Sequence, residues 1–132
     1  MRVVLVDSRE ERRALMTSVV EGDAERAVVV AEADGPDTAV VAVREGEADA
    51  VVVDIWMPVA AALGTLRALR RSFPSLAIVV CSFDMDAATV GRALAAGADA
   101  CLPKPASPHE LVAALRAAQG RPAPALASTT AA

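Results

Sequence analysis

Two acids, a hydroxyl and an ammonium stand where short apolar runs of this sequence end. Asp7 and Ser8 follow "VVLV", Asp54 follows "AVVV", Ser82 closes "AIVVCS", and Lys104 lies in "CLPKP". A carboxylate is a usable nucleophile toward a phosphoryl group only when the repulsion between the two anions is cancelled. A divalent metal and an ammonium supply that cancellation, and the rest is positioning. Magnesium prefers a few carboxylates, backbone carbonyls and waters. Asp7, Asp54 and the Trp56 carbonyl are the available ligands, with Ser8 a weak one.

Four separate segments must be brought together for this, and the elements that carry them are readable. Five apolar runs, Val3–Val6, Ala27–Ala31, Ala50–Val53, Leu76–Cys81 and Ala100–Leu102, alternate with stretches of helical period. The helical stripes are Leu15, Met16, Val19 and Val20; Leu63, Leu66, Leu69 and Arg70; Val90, Ala93 and Leu94; and Leu111, Val112 and Leu115. A further helix over 38–44 is rich in valine, which makes it the weakest of the set. Gly35-Pro36 opens that second helix, Phe73-Pro74 closes the third and Gly97 ends the fourth. "SPHE", from Ser107, carries a capping residue, a proline at the first helical position and a glutamate three after the cap. Strict alternation predicts an α/β fold, one doubly wound parallel sheet with helices on both faces. In such sheets ligands sit beyond the carboxyl ends of the strands, which is where the acids, the hydroxyl and the ammonium stand.

The chain has 132 residues, enough for one domain with a core. The expected boundaries are 1–119 for that domain and 120–132 for a flexible Ala/Pro-rich tail or the start of a linker. Hydrophobic residues make up 55 % and aromatics 2 %, so Ala and Val fill the interior. A net charge of −4 offers no basic field, so nucleic-acid binding by this segment is not expected. Cys81 and Cys101 sit in apolar runs without metal-ligand spacing and read as small buried residues in a reducing compartment. No run reaches the roughly 20 apolar residues of a membrane helix, and no signal peptide is visible. A cytoplasmic location is expected.

Taken together, "VVLVDS", "VVVDIWMP", "IVVCS", "ALAAGADACLPKP" and "SPHELVAALRAA" resemble the receiver domain of two-component response regulators, the CheY-like family. The last helix is most similar to NarL/LuxR-type receivers. The resemblance implies a five-stranded sheet of order 2-1-3-4-5. It implies that Asp54 accepts a phosphoryl group from a histidine kinase with Mg²⁺, that Ser82 is the switch hydroxyl, and that Lys104 pairs with the acid and then the phosphate. It implies a cis Lys104-Pro105 bond. It also implies a homodimer through the helix-four, strand-five, helix-five face, a regulatory role rather than an enzyme's, and a DNA-binding effector domain beyond a linker in the full-length protein.

Several residues depart from the family pattern. Ser8 stands where a second metal-binding acid is usual, which weakens Mg²⁺ binding by on the order of one to a few kcal/mol. Ser8 is also placed to cap the first helix with Glu11 in a capping box. Arg9 can partly neutralise Asp7 and Asp54. Phe83 either crowds the pocket entrance or covers the loop, and Cys101 replaces an aromatic switch residue. Ala61-Ala62 replaces an acidic-glycine turn and makes that loop rigid or helical. Arg12-Arg13 and Arg70-Arg71 read as solvated faces, the first pair also as a kinase contact, and His109 as a surface residue. An alternative reading is an atypical receiver, a phosphorylation-independent interaction module. A flavin carrier of the same topology is disfavoured because "DSREE" is acidic and lacks glycine.

Overall fold

Asp54 closes a strand that is buried along its whole length, and the fold is best followed outward from it. The computed structural model describes residues 1–7, 9–22, 27–55, 59–83 and 85–120, with 10–13, 15 and 59 described by backbone alone. Five strands alternate with five helices: β1 (Arg2–Val6), α1 (Glu10–Glu21), β2 (Val28–Ala33), α2 (Pro36–Gly46), β3 (Ala50–Asp54), α3 (Val59–Ser72), β4 (Ala77–Ser82), α4 (Ala87–Ala96), β5 (Ala100–Pro103) and α5 (Pro108–Gln119). All strand pairs are parallel and the order is β2-β1-β3-β4-β5. The valine-rich second helix forms in full.

Strand alternation divides the interior into two layers. Val4, Val6, Val51, Val53, Ile78 and Val80 face one way, against Ala39 and Val43 of α2 and Leu66 and Leu69 of α3. Val3, Leu5, Val52, Val79 and Cys81 face the other way, against Val20 of α1 and Leu111, Val112 and Leu115 of α5. Each fully buried Val or Leu contributes about 1.5–3 kcal/mol relative to exposure. The central strands thus hold their carboxyl ends rigidly.

The helix boundaries follow the local chemistry. Pro36 opens α2 after Gly35, whose N–H donates to Thr38 Oγ1 at 3.1 Å. Ser107 Oγ accepts from Glu110 N at 3.0 Å and caps α5. Helix α3 starts at Val59, so Ala61 and Ala62 lie in its first turns.

Three expectations are corrected. Helix α1 takes Arg9, not Ser8, as its N-cap residue, because Asp7 Oδ1 accepts the Arg9 N–H at 3.0 Å and turns the chain there. Ser8 itself lies outside the described residues. Leu94 is 46 % exposed, since α4 buries Ala93 and Ala96 instead. Arg70 is no solvated residue; its side chain is drawn into the molecule as described below.

Candidate functional site

Strands β1, β3 and β4 are neighbours, and their registers place their ends side by side. Val6 pairs with Val53, Asp54 with Cys81 and Ser82 with Pro103. The fold therefore gathers Asp7, Asp54, Ser82 and Lys104 at one edge of the sheet. Asp7, Asp54 and Ser82 are almost completely buried, at 3 %, 3 % and 4 % exposure. Lys104 is carried in from β5: its backbone N–H donates to Ser82 O at 2.8 Å. The Lys104-Pro105 peptide bond is cis. The Lys104 ammonium donates to Asp54 Oδ2 and forms an ion pair with it.

The other oxygen of Asp54 is treated differently. Oδ1 is buried and accepts no hydrogen bond among the described residues. Burial pushes the Asp54 carboxyl up to about 6; the Lys104 ammonium pulls it down, and the neighbouring Asp7 pushes it up. Two carboxylates crowded beside an unfilled oxygen suit a hard divalent cation, which prefers oxygen ligands and keeps several waters. Asp7 and Asp54 fit that role. Among the described residues there is no group of three or more His, Cys, Asp or Glu able to hold a metal. Trp56 and Ser8, whose carbonyl and hydroxyl are the remaining candidate ligands, lie outside the described residues.

The remaining candidates sort themselves by position. Arg9 meets Asp7 through its backbone N–H, and its exposed side chain pairs with neither acid among the described residues. Phe83 is 56 % exposed, and its ring lies 5.5 Å from the Lys104 ammonium. Cys81 is buried and burial pushes its thiol up to about 12, which leaves it unreactive. Cys101 is half-buried on β5, and both thiols are free. His109 is exposed in the first turn of α5. The side chains of Arg12 and Arg13 lie outside what is described.

Sequence reasoning missed two residues. One is Phe83 as a partner of Lys104. The other is Arg70, which donates from Nε and Nη2 to Gly97 O (3.0 and 2.8 Å) and from Nη1 to Pro74 O and Leu76 O (2.9 and 2.7 Å). It also pairs with Asp99 at 3.0 Å. One available signal bears on Lys104 itself: it is the only lysine in a chain whose other 12 basic residues are arginines, the two types totalling 13.

A parallel sheet of this order, with a paired carboxylate and ammonium at its carboxyl edge, defines the CheY-like class of α/β domain. The chain belongs to the response regulator receiver family, whose domain model matches residues 3–116. It is similar to the protein-glutamate methylesterase/protein-glutamine glutaminase of Azospirillum brasilense, 36 % identical over 113 residues, 84 % of this chain and 28 % of that protein. It is also similar to the response regulator UvrY of Escherichia coli (strain K12), 32 % identical over 116 residues, 88 % of this chain and 53 % of UvrY. The chain thus spans no more than about half the length of these relatives. A solved two-component response regulator of the LuxR family from Aurantimonas sp. SI85-9A1 superposes with a TM-score of 0.79 at 28 % identity, covering 98 % of this chain and 92 % of that one. The domain is a regulatory receiver of the two-component type. Among the described residues no helix is long and apolar enough to cross a membrane.

Proposed function

We propose that Asp54 accepts a phosphoryl group from a histidine kinase, with Mg²⁺ assistance. Asp54 Oδ1 attacks phosphorus, the P–N bond to the donor imidazole breaks, and the imidazole nitrogen leaves with the electron pair. An acyl phosphate on Asp54 results. Asp7 and Asp54, with the Trp56 carbonyl, would hold Mg²⁺, which when bound would supply charge cancellation at the attacked group. Lys104 holds Asp54 Oδ2 and so aims Oδ1; after transfer its ammonium pairs with the phosphoryl oxygens. The Ser82 hydroxyl donates to the same group. The acyl phosphate shifts a two-state equilibrium that is read at the α4–β5–α5 face by homodimerisation. The observation that carries this is the division of labour within one carboxylate: Oδ2 is taken by Lys104, while Oδ1 is buried without a partner among the described residues.

Incubation with acetyl phosphate and Mg²⁺, followed by intact mass measurement, tests it. The expected result is an adduct of one phosphoryl group that disappears in Asp54→Ala. No adduct, or one that persists in the variant, overturns the proposal.

A second reading, a phosphorylation-independent interaction module, rests on Ser8 standing where the family usually has a second metal-binding acid. That reading expects neither an adduct nor a change in Trp56 fluorescence at millimolar Mg²⁺. On the phosphoacceptor reading the domain works in the cytoplasm, where a kinase's phosphodonor lies, and is regulatory rather than enzymatic. Within a longer chain, the LuxR-type likeness favours a DNA-binding effector, and the methylesterase relatives favour a catalytic one.

A further inference from the structure

Phe83 presents more than half of its surface to water, although a phenylalanine gains most from burial. Its ring faces the Lys104 ammonium, which lies 5.5 Å from the centroid. That ammonium belongs to a side chain only 10 % exposed, which also pairs with Asp54. We infer that Phe83 is a positioning residue: its ring face fixes the ammonium of the chain's single lysine over the Asp54 carboxylate. This rests on the phosphoacceptor reading only for its consequence, not for its test.

The physical case turns on what a lysine lacks. Its charge rides on a flexible four-carbon stem that carries about 2 kcal/mol of rotamer freedom, with no planar fork to set a direction. One hydrogen bond to a carboxylate leaves the ammonium free to rotate away. A π face attracts the cation without taking up its N–H groups as a carbonyl would. It is also broad, so the ammonium can move from Asp54 Oδ2 to a phosphoryl oxygen without leaving the ring. Phe83 also forms one wall of a cleft of about 300 Å³ with Met16, Val19, Pro105 and Ala106. That cleft reaches Lys104 from the α1 side, and the ring stands at the boundary between its apolar lining and the charged pair.

The single lysine makes the test direct. In protein labelled with ¹⁵N at the lysine side-chain nitrogen, only Lys104 gives an ammonium signal. The wild type should show that signal shifted upfield by the ring current and protected from solvent exchange. Phe83→Leu keeps an apolar side chain at an exposed position and removes the π face. It should lose the ring shift and speed ammonium exchange about threefold to tenfold, the scale of a partly desolvated cation–π contact. Phe83→Trp should retain both. Backbone amide spectra show whether each variant stays folded. An unchanged ammonium signal in Phe83→Leu overturns the inference, as does a Phe83→Trp signal that matches Phe83→Leu. If phosphorylation occurs, Phe83→Leu should label from acetyl phosphate about threefold to tenfold more slowly. If no protein labels at all, the phosphoacceptor reading fails while the ammonium measurement still decides the role of Phe83.

Discussion

Asp54 binds its proton more tightly in the folded chain than outside it, at about 6 against an ordinary 3.8, chiefly because it is buried. Two outcomes follow from that one residue. As a nucleophile it must be ionised, so labelling by acetyl phosphate should rise from pH 5 to pH 7 with a midpoint near 6. Added Mg²⁺, which competes with the proton, should move the midpoint lower. The second outcome concerns stability. Between 3.8 and 6 the folded state holds more protons than the unfolded one, so stability falls as pH rises through this window and stays lower above it. The loss is about 3 kcal/mol at its fullest. Asp54→Asn keeps an oxygen for Lys104 and removes the buried charge. In urea unfolding it should exceed the wild type by about 1–3 kcal/mol at pH 8 and match it near pH 4. At this scale the sequence made the four polar residues legible, because a polar residue ending an apolar run marks a strand leaving the core. It did not reveal the Phe83–Lys104 contact. Those residues lie on two loops 21 positions apart, and no periodicity links them.

The helices were legible wherever chemistry punctuates them. Gly35-Pro36 and Ser107 with Glu110 are local signals that need no tertiary context. What a helix packs against is not local, and there the reading of α3 and α4 was reversed: Leu94 is exposed and Arg70 is drawn in. Leu94 yields the buried face of α4 to Ala93 and Ala96, and Arg70 is drawn in by the turn after α4. Gly97 has φ +125°, and a Cβ there would meet Arg70 Cβ at 2.7 Å. The missing side chain lets the arginine stem lie against the turn, where its guanidinium gathers carbonyls of Gly97, Pro74 and Leu76. Asp99 locks the head and also accepts from Ile78 N at 2.9 Å. Gly97→Ala should therefore cost about 2–4 kcal/mol, from left-handed strain together with displacement of Arg70. Arg70→Lys should cost nearly as much as Arg70→Ala, since one ammonium cannot reach four groups that a planar fork reaches together. Urea titrations of the three variants decide this. A Gly97→Ala protein as stable as the wild type would mean that the turn tolerates the side chain.

At the scale of the whole molecule, the doubly wound sheet with helices on both faces was within reach of the sequence because β–α alternation leaves few topologies, and the family resemblance supplied the strand order. The occupancy of the site was not, because it depends on how two buried acids share charge after the chain has closed around them. That same closure links the site to global stability. The unfolded chain scatters Asp7 and Asp54, so a cation that needs both binds the folded state alone and raises its stability as RT ln(1 + [L]/Kd). With two carboxylates at the site among the described residues, a dissociation constant in roughly the millimolar range is the expected scale. Mg²⁺ at about ten times that constant stabilises by about 1.4 kcal/mol, or a rise of about 3–6 °C in Tm for a domain of this size. The rise should shrink at pH 5, where the proton already occupies Asp54, and should vanish in Asp7→Asn. Differential scanning calorimetry with and without Mg²⁺ at pH 5 and pH 8 reads all of this. A Tm indifferent to Mg²⁺ at pH 8 would leave the two acids without a cation and turn the weight toward the interaction module. A rise of equal size in Asp7→Asn would place the ion elsewhere on an acidic surface.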